Sequence, residues 1–126
     1  MSDKSDKRGK MEELANQKCV ACDRGAPKAD DGLIHQFLQT SDDWDLVKED
    51  DIPKLMRIYK FNNFKSALEF SNLIGDMAEE EGHHPLIITE WGKVTIKWWT
   101  HKIKNLHLND LIAAAKTENL YINVSQ

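Results

Sequence analysis

The sequence of 126 residues predicts an α+β fold, a four-stranded antiparallel sheet with helices packed on one face, in the order α-β-β-α-β-β-α. Three observations lead there. Two pairs of β-rich segments are each joined by a short turn, the pattern of two hairpins. Between the hairpins, apolar residues recur at helical spacing from Phe64 to Ala78. After the second hairpin, an alanine-rich stretch follows Asn109, a residue type that caps helices.

The elements follow in order. Met11–Gln17 reads as a short helix ahead of a Gly25-Ala26-Pro27 break. Asp30 and Asp31 suit a helix N-terminus, and Leu33, Ile34, Phe37 and Leu38 supply one apolar face, so a helix is expected over about 31–39. Ser41-Asp42-Asp43 is a turn signal. Trp44–Glu49 and Lys54–Phe61 are the strands of the first hairpin, with 50–53 as the turn. Leu55, Arg57, Tyr59 and Phe61 share one face of the second strand; Met56, Ile58 and Lys60 share the other. Asn62-Asn63 can cap the helix whose apolar stripe is Ala67, Leu68, Phe70, Leu73, Ile74, Met77 and Ala78, opposite Lys65, Glu69, Asn72, Asp76 and Glu80. Gly82 is a helix stop, and Pro85 forbids continuation. Leu86–Glu90 and Lys93–Thr100 form the second hairpin around Trp91-Gly92. The last helix is expected from Asp110 to about Leu120, with Asn109 as its cap.

Composition narrows the function classes. With 17 basic and 21 acidic residues the net charge is −4, which argues against a nucleic-acid backbone or an anionic membrane as main partner. There is no apolar run of membrane-spanning length and no signal-peptide core near the start, so a cytoplasmic protein is expected. Cys19 and Cys22 do not make a disulfide framework, and two ligands do not close a zinc site; packing is the simpler reading of both thiols. Residues 1–10 alternate in charge and read as a disordered tail, leaving 11–126 as one domain.

The chemistry-bearing residues are histidines. If Trp91 and Gly92 form the loop of the second hairpin, Glu90 faces Lys93. Counting outward, His84 then faces Trp99 and His83 faces Thr100. His83, His84 and His101, 18 residues apart at the extremes, therefore meet at one end of the sheet. Glu79 lies four residues before His83, and Asp110 opens the last helix. Carboxylates beside imidazoles fix a tautomer and raise basicity, and histidine both gives and takes protons near neutral pH. Taken singly, each residue has a plain structural reading: a polar turn histidine, a solvent-facing Glu79, an Asp110 that complements a helix N-terminus. Three histidines and two carboxylates also match metal-ligand chemistry, although no HExxH helix or second CxxC is present.

Glu79-x-x-x-His83-His84-Pro85, Trp91, His101 and Asp110 together resemble the signature of the pterin-4a-carbinolamine dehydratases. Cys19-Val20-Ala21-Cys22, Trp44, Tyr59-x-Phe61-x-x-Phe64 and Thr89-Glu90-Trp91-Gly92-Lys93-Val94 are similar to bacterial members. The resemblance runs from about Cys19 to Leu120. It implies a 4a-hydroxytetrahydrobiopterin dehydratase, a hydro-lyase that removes water from the 4a-carbinolamine to give quinonoid dihydropterin. It further implies tetrahydropterin recycling beside an aromatic amino-acid hydroxylase, no metal or organic cofactor, and a homodimer or homotetramer. The implied catalytic set is His83, His84, His101, Glu79 and Asp110, with His83, His84, Pro85, Thr100, His101, Lys102 and Ile103 binding the pterin. Two other readings stay open at this point. One is a dimerisation cofactor of a transcription factor, using the apolar stripe of helix 63–81; the other is a histidine metalloprotein.

Overall fold

The structure, a computed structural model, describes residues 11–20 and 25–124. The tail expected over 1–10, and Cys22, lie outside the described residues. Helical residues 11–15 (α1) come first, then α2 (Asp31–Thr40), β1 (Asp45–Glu49), β2 (Ile52–Lys60), α3 (Phe64–Glu81), β3 (Leu86–Glu90), β4 (Lys93–Trp98) and α4 (Leu108–Asn123). The strands form one antiparallel sheet in the order β1-β2-β4-β3, so the two hairpins join through β2 and β4. This is the α+β architecture and element order that the sequence predicts.

Strand alternation decides where the core lies. Leu55, Arg57 and Tyr59 on β2 stand opposite Trp98, Ile96 and Val94 on β4, and all of these project to the helix side. Phe70 of α3 and Tyr121 of α4 both meet the Tyr59 ring, at centroid distances of 4.8 and 4.6 Å. Ala67, Phe70, Ile74 and Ala78 form the buried stripe of α3, and 111–115 of α4 are buried without interruption. Each large side chain so enclosed contributes about 1.5–3 kcal/mol. Small residues at 113–115 let α4 approach the sheet closely. Met56, Ile58, Leu86 and Ile88 project from the opposite sheet face, where Ile58, Leu86 and Ile88 stay substantially exposed.

Three boundaries differ from the sequence reading, each for a local reason. The first hairpin turns on Asp50-Asp51 alone, both at positive φ (51° and 65°), a two-residue loop of the type that matches strand twist. Pro53 is thus a strand residue paired with Lys48. It precedes the β2–β4 ladder, which begins at Leu55, so its missing N–H costs that ladder nothing. The second hairpin has the expected register, Glu90 opposite Lys93, with Gly92 at φ 76°, but the ladder stops at Leu86–Lys97. His83 and His84 therefore lie in a turn and do not pair with Thr100 and Trp99 as strand residues. Thr100 instead bridges to Asn105, closing the 101–104 turn. Finally, α4 starts at Leu108 with His107 as its cap, one turn's edge earlier than the Asn109 cap expected.

One polar cluster is built into the helix side of the sheet. Glu118 of α4 accepts hydrogen bonds from Trp44 Nε1 (2.9 Å), Tyr59 Oη (2.7 Å) and the Arg57 guanidinium. Arg57 lies 4.2 Å from the Tyr59 ring centroid and has Asp43 as a second carboxylate neighbour. Burial opposes the Arg57 charge, but Glu118 outweighs it and holds the guanidinium above its ordinary value. Removing one partner of such an enclosed pair leaves a charge without compensation. Glu118→Ala is expected to cost about 3 kcal/mol, toward the low end for such losses because Asp43 remains. Urea unfolding would read this as a lower midpoint at unchanged slope.

Candidate active site

The end of α3 positions the first two histidines. Gly82 adopts φ 64°, its N–H and that of His83 turn back to Glu79 and Ala78 carbonyls, and the chain leaves the helix sharply. His83 then folds inward and is buried, while His84 remains exposed. The His83 ring stacks on Trp98, 5.6 Å between centroids and 8° from parallel. Its Nε2 lies 2.6 Å from Asp110 Oδ1.

Asp110 is fully buried and has both oxygens engaged. Oδ1 meets His83; Oδ2 accepts from the Thr100 hydroxyl (2.7 Å) and the His107 N–H (2.9 Å). The last contact is half of a capping box, because His107 Nδ1 accepts the Asn109 N–H at 2.9 Å in return. Asp110 is thus at once the helix-terminal acid of the plain reading and the carboxylate partner of a site histidine. The spacing His107-x-x-Asp110 was the available signal for this box, with imidazole where Ser or Thr usually stands.

His101 reaches the same place from the other side. Its ring lies against Trp99, 4.4 Å between centroids, and Lys54 Nζ sits 4.0 Å from the centroid of the Trp99 rings. Lys54 projects from the sheet face opposite the helices and pairs with Glu49, which also holds Lys97 at 2.8 Å. The Lys97 and Lys54 hydrogen bonds hold the Glu49 carboxyl below its ordinary value. Trp98 and Trp99, adjacent in sequence, therefore support His83 and His101 on opposite sides of the sheet end.

A cleft of about 200 Å³ opens between these elements, lined by His83, His84, Thr100, His101, Lys102 and Gly82, with Val20 on its rim. Six of the sequence-derived site residues are placed in or behind it: His83, His84, Thr100, His101 and Lys102 line it, and Asp110 stands behind His83. Pro85 and Ile103 are not among its lining residues. Glu79 pairs with Nε2 of His84, not with His83, four residues on, because the Gly82 turn swings His83 inward toward Asp110. Sequence reasoning missed His107, Val20 and the ring supports that Trp98 and Trp99 give.

Cys19 packs against the core, and burial, with Glu81 adding to it, pushes its thiol from 9.0 up to about 12. A thiol so shifted stays protonated and unreactive at neutral pH, in keeping with packing. Among the described residues, no group of three or more His, Cys, Asp or Glu side chains is placed to hold a metal ion. Nor is any helix among them long and apolar enough to cross a membrane.

Comparison with known proteins gives a consistent family. The profile of the family described as Pterin 4 alpha carbinolamine dehydratase matches residues 27–120. Two bacterial proteins named "Putative pterin-4-alpha-carbinolamine dehydratase" are similar over most of the chain. That of Nitrosococcus oceani is 48% identical over 110 residues, 87% of this chain and 97% of its own length. That of Syntrophotalea carbinolica is 53% identical over 110 residues, 87% of this chain and 98% of its own. The crystal structure of a transcriptional coactivator/pterin dehydratase from Brucella melitensis has the same fold, with a TM-score of 0.66 at 23% identity, over 75% of this chain and 98% of that one.

The His107 cap gives a pH prediction. Burial holds its imidazole below the ordinary value, against Asp110, which favours the charged form, and with His83 acting in the same sense as burial. The unfolded chain thus takes up this proton first, near pH 6.5. The contribution of His107 to stability is complete above about pH 6.5 and is lost as pH falls through the lower folded value. The stability difference between wild type and His107→Ser, whose hydroxyl caps without titrating, should shift toward the variant between pH 7.5 and pH 5. Urea unfolding at the two pH values checks this.

Proposed function

The chain belongs to the pterin-4a-carbinolamine dehydratase family and is a hydro-lyase of that activity; within that frame, we propose that the histidine cleft is its active site. The observation that supports this most is the convergence of His83, His84 and His101 on one cleft from two chain segments, with a buried carboxylate behind one of them.

The reaction removes a hydroxyl from C4a of the tetrahydropterin and a proton from N5, leaving a C4a–N5 double bond and water. The hydroxyl leaves only if it is protonated, and loss of the N5 proton drives its departure, so an acid and a base must act together. In our reading His83 and His101 take these two roles. Neutral His83 places its Nε2 proton toward Asp110 Oδ1, which leaves Nδ1 with the lone pair. Asp110 also stabilises the imidazolium once the ring has taken a proton. This favours His83 as base and His101 as acid. Because the two rings are supported from opposite sides of the sheet end, they can address opposite faces of a flat substrate.

His84, oriented by Glu79, binds and aligns the pterin; Thr100, His101 and Lys102, with the backbone near Pro85 and Ile103, complete the binding edge. The catalysis draws on side chains alone, with no metal or organic cofactor. The protein acts in the cytoplasm, regenerating tetrahydropterin after an aromatic amino-acid hydroxylase, and assembles as a homodimer or homotetramer. Exposed Phe64, Leu68 and Leu73 on α3 support assembly through that helix.

The decay of the 4a-carbinolamine, followed with and without protein, tests the reading. The wild type should accelerate it, and the His83→Ala/His101→Ala double variant should return it to the uncatalysed rate with an unchanged circular dichroism spectrum. Single variants should lose about 10²- to 10⁴-fold each. Full turnover by the folded double variant would remove both histidines from the mechanism.

A further inference from the structure

The N-terminal segment is tied down beside the cleft by a set of contacts that the acid–base chemistry does not use. Asn109, 1% exposed, turns its carboxamide onto Val20 and treats it as a strand neighbour would. Oδ1 accepts the Val20 N–H at 3.0 Å, and Nδ2 donates to the Val20 carbonyl at 2.7 Å. One residue earlier, the Cys19 N–H donates to Glu81 Oε1 at 2.8 Å. Lys116 fixes the other end of the segment, donating to the Ala15 carbonyl at 2.8 Å. These anchors lie on α3 and α4, the helices that deliver His83 and Asp110.

The outcome of this strapping is the placement of one side chain. Val20 is 62% exposed, yet its backbone is held through both polar groups, and it lies on the rim of the cleft. Thr100, Lys102 and the imidazoles supply the cleft with polar or charged groups; Val20 is the one aliphatic side chain among its described lining residues. Sites for flat heteroaromatic molecules set an apolar surface against the ring face and polar groups at its edge. An exposed valine whose backbone is held so firmly at this cleft is placed to meet such a ring.

We propose that Val20 contacts the substrate, forming the apolar wall against which the pterin ring lies, and that Asn109 is the positioning residue that holds it there. The proposal rests on the cleft being the dehydratase site. It assigns to the N-terminal segment a share of substrate binding and no share of proton transfer, so its signature is a split between KM and kcat.

Steady-state dehydration of one 4a-hydroxytetrahydropterin by wild type, Val20→Ala, Val20→Asp, Asn109→Asp and Asn109→Ala tests it. Val20→Asp should raise KM about tenfold or more and Val20→Ala several-fold, each with kcat within about twofold of wild type. Asn109→Asp keeps an acceptor for the Val20 N–H but faces the Val20 carbonyl with another oxygen, so its KM should lie between those of wild type and Asn109→Ala. Val20→Asp with a KM within about twofold of wild type would overturn the proposal, as would a loss confined to kcat. Should Asn109→Ala not fold, the two variants at exposed Val20 decide alone. The folded His83→Ala/His101→Ala variant, assayed alongside, separates the failures: its full turnover refutes the assignment of the cleft, whereas its loss of activity together with unaltered Val20 variants refutes only the wall.

Discussion

The site depends on one buried carboxylate. Asp110 joins the turn after α3, the turn after β4 and the start of α4 through His83, Thr100 and the His107 N–H. Enclosing a charge costs several kcal/mol unless hydrogen bonds replace its water, and here three donors do so. The geometry of the cleft follows from that constraint. Thr100 must stand where its hydroxyl reaches Oδ2, which sets the path of the chain toward His101. His83 must lie flat on Trp98 for its Nε2 to reach Oδ1. The same carboxylate caps α4, so the helix begins where the site requires it to begin.

Glu118, two turns further along α4, faces the same problem and solves it for another purpose. It gathers Trp44, Arg57 and Tyr59, and thereby ties the helix to β2 and to the residue before β1. One helix thus carries two enclosed carboxylates. The one near its N-terminus holds a histidine that lines an open cleft. The other is sealed among aromatic rings and serves only cohesion. What separates the two carboxylates is access of a partner to the cleft, since both are well hydrogen-bonded.

The fold was legible because hydrophobic periodicity and turn chemistry agreed along most of the chain. Trp91-Gly92 set the register of the second hairpin, and that register alone carried His83 and His84 to the vicinity of His101. Pro53 misled at the first hairpin: proline suggested a turn, but two aspartates in left-handed conformation had already made it. Asn109 misled at α4, because asparagine is the commoner cap and histidine an uncommon one. The pairing of Glu79 with His84 could not be read from spacing, since the left-handed Gly82 reverses which histidine the helix end faces. The role of Asn109 toward Val20 joins residues 89 positions apart, and no local pattern encodes such a contact.

The stacking of His83 on Trp98 has a spectroscopic consequence. An excited indole transfers an electron readily to a protonated imidazole and much less readily to a neutral one. With the two rings almost parallel, emission from Trp98 is coupled to the charge on His83. Trp91, largely exposed at a hairpin tip, emits at longer wavelength and belongs to a separate part of the spectrum. Trp44, the other buried indole, faces Phe37, Tyr59 and Glu118, so at the blue edge of the fluorescence it is Trp98 whose emission answers to a site imidazole.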